Sequence, residues 1–303
     1  MRVKKTGLID EGLWLLGTEE SCVYLLEGSR SSILISAGLS YILPECFRQI
    51  AAWGINEKKI DHIIILHAHF DHVGVVPFLK RKWPHVTVYA SSRGWEVLAN
   101  PKAISVINEF TLKVCRRVRG SSDILSSLDW QWRDDVRGEH LKQNSCIDLG
   151  DRHVEVYETP GHSSCSISAY VPQLKALFPS DAAAIPYQDE YVIAAGSSFD
   201  AYQQSLDMLA GLDVQLLCAD HYGYITGEEA TRYIAQSKSA AGQMIDKLHL
   251  ALRKEGGVEP AAARLVKLHF ERWPDYFVHP DILLSTYAQM LKQFTHSDEQ
   301  VFI

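Results

Sequence analysis

The sequence predicts a mixed α/β (α+β) fold with a helical C-terminal appendage. Three observations predict it: short β segments open the chain, β and α patterns then alternate through two halves, and after Tyr224 the periodicity is helical alone. At 303 residues, 47% hydrophobic and 22% charged, the chain suits one large domain with an appendage.

Leu13–Leu16, Val23–Leu26 and Ile33–Ile35 read as strands of a meander, parted by Gly, Ser and Glu turns. Pro44 suits the first turn of a helix running to about Trp53, where its missing N–H would be unpaired in any case. Asp61–Leu66 runs into continuous apolar residues, the pattern of a strand buried on both faces. Gly74–Trp83 has helical spacing, Val86–Tyr89 reads as a strand, and Trp95–Val118 is helical in period. Ser121–Gln143, rich in Asp and Arg, reads as a long surface connection between two halves, with Trp130 and Trp132 expected to pin it to the domain.

The second half carries strand candidates at His153–Glu158, Ile167–Val171, Lys175–Phe178 and Val214–Cys218, divided by a helix from about Ala201 to Leu212. Thr226-Gly-Glu-Glu229 fits a capping box, and Ala230, Tyr233, Ser237, Ala241, Met244, Leu248 and Leu252 then recur at helical spacing until Gly256-Gly257. Two further helices are expected, from Pro260 to about Trp273 and from Pro280 to Phe294. A boundary near residue 225 therefore divides a domain of residues 1–225 from a helical cap of residues 226–303.

Composition narrows the function. A formal charge of −7 gives no overall attraction to nucleic acid or to an anionic membrane, and the basic cluster Arg116, Arg117 and Arg119 reads as a solvated helix face. Six cysteines, at 22, 46, 115, 146, 165 and 218, form no C-x-x-C pair, so neither a thiol redox motif nor a cysteine zinc site is indicated. Met1–Asp10 lacks the apolar run of a signal peptide, and no stretch reaches the ~18 apolar residues of a membrane span, so a cytoplasmic location is expected.

The chemistry is concentrated in Leu66-His67-Ala68-His69-Phe70-Asp71-His72, three imidazoles and a carboxylate just past a buried strand. Neutral imidazole and carboxylate donors suit Zn, Fe or Mn. His67 and His69, alternating on an extended loop, can converge on one ion, while Asp71 and His72 face a second. One string cannot complete two coordination shells, so further donors are required at other strand ends. Gly161-His162, Ser180-Asp181 and Asp220-His221 supply them, each just after a predicted strand, where a rigid sheet can aim side chains at one point. Asp220 reads equally as support for its neighbour or as turn chemistry.

This pattern, spanning roughly Gly12 to Tyr224, resembles the metallo-β-lactamase superfamily: His-x-His-x-Asp-His, a later Gly-His, an Asp after a short strand, and a final His. The resemblance implies an αββα four-layer sandwich. It also implies a first metal at His67, His69 and His162, a second at Asp71, His72 and His221, and Asp181 between them: two divalent ions as cofactors. Within the superfamily the chain looks closest to the glyoxalase II-like hydrolases. In its helices after the last histidine it resembles the quinolone-signal response branch. It departs from common members at Leu66, where Thr or Ser often stands, and at Tyr222, where Gly is frequent; neither is a ligand position.

A hydrolase is the implied activity, on a small organic thioester, ester or phosphodiester, using a hydroxide activated by two metals. The expected partner is a small-molecule substrate, with no nucleic acid and no membrane; a homodimer is left open. Asp71 could orient the nucleophile, and Tyr222, Tyr187 or His279 could protonate the leaving group. Trp273, Tyr276 and Phe277 read as core. His62, His85, His140, His153, His249, His269 and His296 read as surface or helix residues, and Cys165 and Cys218 as small apolar packing. Two alternatives stand beside this reading: a mononuclear iron persulfide dioxygenase, which would use part of the ligand set, and a regulatory protein whose role needs no hydrolysis. A flavodiiron carrier fits poorly, since His69 stands where a carboxylate is needed.

Overall fold

Period-2 alternation along the strands sorts side chains to two faces, and here both faces are apolar. The computed structural model describes residues 1–118 and 120–295, so Arg119 and His296 lie outside the described residues. A short strand, β1 (Arg2–Val3), belongs to the second of two seven-stranded sheets. The first sheet runs β2 (Gly7–Asp10), β3 (Leu13–Gly17), β4 (Cys22–Glu27), β5 (Ser32–Ile35), β6 (Ile60–Ile64), β7 (Thr87–Ser91) and β8 (Glu139–Leu141) in spatial order. It is antiparallel to β5 and parallel beyond.

The second sheet is assembled from β9 (Cys146–Asp148), β10 (His153–Glu158), β11 (Ile167–Val171), β12 (Ala176–Phe178), β15 (Leu216–Cys218) and β16 (Tyr224–Thr226), ending at β1. A separate hairpin, β13 (Ile185–Tyr187) and β14 (Glu190–Val192), follows Asp181. Leu13, Leu15, Tyr24, Leu26, Ile33 and Ile35 point inward onto Val154, Val156, Ala169 and Phe178, forming the core between the sheets. Their neighbours Leu16, Val23, Leu25 and Leu34 point outward into a second core, beneath α1 (Leu43–Ala52) and α2 (Val76–Lys82). The outer face of the second sheet, with Tyr170, Leu177, Leu217 and Ile225, shares a third core.

That third core is completed by later helices. After α3 (Ser92–Leu98), α4 (Pro101–Cys115) and α5 (Ser121–Ser126) come α6 (Phe199–Leu209), α7 (Glu228–Glu255), α8 (Val258–Arg272) and α9 (Pro280–Lys292). Tyr202, Tyr233, Leu265 and Leu291, from α6 to α9, are all buried there. The order of layers is helix, sheet, sheet, helix, as the superfamily resemblance implies. Among the described residues no helix is long and apolar enough to cross a membrane.

Four local expectations are corrected. The helix expected over Trp95–Val118 is two, because Pro101 cannot donate an N–H and Asn100 instead caps α4 through the Lys102 N–H at 2.9 Å. The expected surface connection contributes α5 and the edge strand β8, whose Glu139 pairs with Tyr89. Trp130 and Trp132 in it are buried, the Trp132 indole donating to the Leu98 carbonyl at 3.0 Å. Thr226 makes no capping box: it closes β16, and α7 starts at Gly227 without a side-chain cap, while Glu229 pairs with Arg2. Arg117 is no idle surface charge, since it donates to the Tyr276 carbonyl at 3.3 Å and lies over the Phe270 ring.

Candidate metal centre

Each predicted ligand stands on a loop leaving a strand end. The loop after β6 carries His67, His69, Asp71 and His72; His162 follows β10, Asp181 follows β12 and His221 follows β15. Two glycines make these loops possible. A Cβ at Gly74 would lie 2.4 Å from the Ser40 nitrogen, so only glycine lets the first loop seat against residues 38–40. Gly161 has φ of +139° and a Cβ there would meet the Tyr202 nitrogen at 2.4 Å. Ser180 and Tyr222, each beside a ligand, are non-glycine residues with φ of +50° and +62°. Such backbone costs of order 1–3 kcal/mol and persists where surroundings over-determine it. At Tyr222 part of that support is the Tyr24 hydroxyl, 2.7 Å and 3.0 Å from the Ala219 and Gly223 carbonyl oxygens on either side of the turn.

The outer nitrogens of the imidazoles fix which way the inner ones face. His162 Nδ1 can only donate to the Ala194 carbonyl, at 2.5 Å, and His221 Nδ1 only to the Glu20 carbonyl, at 2.7 Å. His72 Nδ1 donates to Asp220 Oδ2 at 2.8 Å. Ser180 spends its proton on the same Asp220 oxygen, so its oxygen accepts from His67 Nδ1 at 3.1 Å. In neutral His67, His162 and His221 Nε2 is then a lone pair, and His72 offers the same atom once a metal displaces the proton from Nε2. The inner nitrogens converge: His162 Nε2 is 3.2 Å from His67 Nε2 and 2.9 Å from His69 Nδ1, and His221 Nε2 is 3.2 Å from His72 Nε2. Lone pairs facing at this distance repel unless a cation sits between them, so this donor set fits divalent metal ions.

The donors fall into the two predicted groups. His67, His69 and His162 form one cluster, and Asp71, His72 and His221 another. Asp181 stands between them, its Oδ2 3.4 Å from His162 Nε2 and 3.3 Å from His72 Nε2. The electrostatics agree. Burial and the crowding of imidazoles push His67, His69 and His162 below the usual imidazole range, which keeps them neutral and ready to ligate. Burial alone would also lower His72, but the Asp181 and Asp71 carboxylates and the bonds to Asp181 and Asp220 overcome it and raise this group well above that range. Burial likewise opposes ionisation of Asp181, and the His72 and His162 imidazoles overcome it, holding its carboxyl well below the usual range.

The cluster forms the floor of a cavity of about 380 Å³, on which His69, Asp71, His162, Asp181 and His221 open. The other candidates lie elsewhere. Tyr222 and Tyr187 line a second cavity behind Tyr276 and Phe277, their rings 4.8 Å apart. His279 caps α9, its Nδ1 accepting from the Asp281 N–H at 3.2 Å, and is absent from the cavity wall. Tyr276 and Phe277, read from sequence as core, do line it. Ser180 went unread: a serine's part in a relay depends on partners 113 and 40 residues away.

The sequence matches the model of the Metallo-beta-lactamase superfamily over residues 17–221. It is 25% identical over 226 residues to a metallo-beta-lactamase fold-containing protein of Sulfurisphaera tokodaii, spanning 73% of this chain and 80% of that one. It is also 25% identical over 126 residues to hydroxyacylglutathione hydrolase of Legionella pneumophila, a match to 42% of this chain but only 35% of that enzyme. The crystal structure of a metallo-beta-lactamase family protein from Thermus thermophilus superposes with a TM-score of 0.68 at 17% identity, covering 96% of this chain and 95% of the other, a likeness of fold. Matched over most of its length and built as an αββα sandwich with a His/Asp cluster suited to metal, this chain belongs to the metallo-β-lactamase superfamily.

Proposed function

We propose that this protein is a metal-dependent hydrolase holding two divalent ions and cleaving a thioester, ester or phosphodiester bond in a small organic substrate. The observation that carries the reading is the convergence of fixed imidazole lone pairs and two carboxylates on the floor of a cleft. His67, His69 and His162 would hold one ion and Asp71, His72 and His221 the other, with Asp181 shared. Seven donors favour this reading over a mononuclear dioxygenase, which would leave half of them idle. The similarity to a hydroxyacylglutathione hydrolase favours a thioester.

Bound divalent ions supply Lewis acidity and a water acidified toward neutrality. The chain's residues do the rest. Ser180 and Asp220 hold His67 and His72 in one tautomer and orientation. Asp71, at the edge of the cluster, opens onto the cleft and can hold a proton from the nucleophile. Phe277 packs on the His221 ring at 5.1 Å and shields that side from bulk water. We read residues 1–225 as the catalytic domain and those from 226 onward as a cap whose last helix walls the cleft.

Metal content per chain, on protein purified without chelators, tests this together with a hydrolysis screen over aryl thioesters, esters and phosphodiesters. About two ions with turnover is the expected result. One iron with oxygen uptake would move the case to a dioxygenase, and no bound metal would refute both.

A further inference from the structure

Beyond its His/Asp floor the cleft is mostly apolar, walled by Val106, Ile107 and Phe110 of α4 and by Ile282, Leu283 and Met290 of α9, with Ser285, Thr286 and Gln289 of α9 also on its lining. Lys102, exposed, is the one charged side chain lining it apart from the His/Asp cluster, among the described residues. A charged substrate group placed between α4 and α9, away from Lys102, would lose hydration without compensation.

Among the hydroxyl-bearing residues of this wall, Tyr276 and Tyr287 are buried, and Ser285 and Thr286 are half-buried. Tyr276 is 2% exposed, and its ring is clamped by His269 at 4.6 Å and Tyr187 at 5.0 Å. Its backbone is tied by the bond from Arg117. Yet its hydroxyl makes no hydrogen bond among the described residues. The other buried tyrosine of the wall, Tyr287, has its hydroxyl 3.2 Å from His269 Nδ1, and Thr286 on α9 donates to the Ile282 carbonyl at 3.0 Å. The Tyr276 hydroxyl therefore has a proton to give to a ligand atom bound in the cleft that its residue lines, a bond worth about 0.5–1.5 kcal/mol.

Resting on the hydrolase reading, we propose that Tyr276 is a catalytic residue whose hydroxyl donates to the carbonyl oxygen of an uncharged acyl or aryl substrate lying between α4 and α9. The hydroxyl is a permanent donor, because burial and the nearby Asp181 carboxylate hold its pKa well above the ordinary phenol range. A donor fixed before substrate arrives strengthens its bond as charge develops on that oxygen.

Tyr276→Phe tests this, since it removes only an unbonded hydroxyl and keeps the ring packing. Two probes are used on the metal-loaded protein: hydrolysis of 4-nitrophenyl hexanoate, and binding of hexanophenone, a ketone that cannot be hydrolysed, beside hexylbenzene, which lacks the oxygen. The expected results are unchanged metal content and melting temperature and a loss of kcat/KM of about 10²-fold. Hexanophenone should bind about 5-fold more weakly, and hexylbenzene unchanged. Equal hexanophenone binding by both proteins, or none by the native one, overturns the proposal whether or not esters are hydrolysed. Weakened hexanophenone binding with no turnover of any ester upholds the hydroxyl's role and overturns the hydrolase reading instead.

Discussion

Asp220→Asn isolates the support behind the metal ligands. Asp220 is buried, with Oδ2 accepting from His72 Nδ1 at 2.8 Å and from the Ser180 hydroxyl, while Oδ1 has no partner among the described residues. An asparagine with its oxygen at Oδ2 keeps both bonds but makes them neutral, lowering each from about 1.5–3 to about 0.5–1.5 kcal/mol. Its amide nitrogen then occupies the Oδ1 position with no acceptor, at a cost of about 1–3 kcal/mol. His72 loses the anion that raises its basicity, and replacing a partner of this kind typically weakens metal binding 10–100-fold. In a chelator titration, the ion at Asp71, His72 and His221 should leave at a chelator concentration lower by that factor. The ion at His67, His69 and His162 should shift less, since Asp220 reaches His67 only through Ser180. A folded variant whose chelator midpoint stays within about twofold of the native one would refute the relay.

Four further outcomes are expected. The chelated protein should melt at lower temperature at pH 5 than at pH 7. His67, His69 and His162 lie below the ordinary value of about 6.5, so the unfolded chain takes up more protons as pH falls through it; His72, raised, opposes this alone. A flat or rising melting temperature over that range would contradict the assigned environments. Gly161→Ala should cost at least about 2 kcal/mol in denaturant unfolding and lose metal, because its Cβ meets the backbone of Tyr202 and its φ is positive. Ile107→Trp should fill the cleft between α4 and α9, cutting kcat/KM for hexanoyl esters more than about 10-fold against a far smaller loss for acetyl esters, with metal content unchanged. Tyr24→Phe should lower stability by about 1–3 kcal/mol by leaving the Ala219 carbonyl short of a donor, the Gly223 carbonyl keeping the Ala219 N–H, measurable by urea unfolding.

The His/Asp cluster was legible because each member sits at the end of a strand whose apolar run marks it, and a sheet fixes where strand ends lie. The four-layer architecture came from the superfamily resemblance, which the alternating faces of β3 to β6 agree with. Residues whose role depends on orientation were not legible. Tyr222 follows a candidate ligand in sequence, but its ring meets Tyr187 edge-on beneath Lys4, facing the second cavity. His279 precedes a helix that walls the cleft, and for that reason caps the helix instead of entering it. The edge strands β1 and β8 are two and three residues long, too short for alternation to show. The break at Pro101 was readable, since a proline inside a helical run ends it at the residue before.

The two halves of the cluster are not equivalent, and their backing shows why. His67, His69 and His162 are three neutral donors: His162 leans on a carbonyl, His67 on a hydroxyl, and His69, exposed to the cleft, makes no bond at its other nitrogen among the described residues. The Asp71, His72 and His221 cluster contains one carboxylate and is backed by a second, Asp220. A divalent ion is held more tightly where anionic charge is greater and the rings are fixed from behind. Chelator titration of the native protein should therefore release metal in two steps. The first to leave should be the ion at His69, and His69→Ala should lower the first midpoint while leaving the second in place.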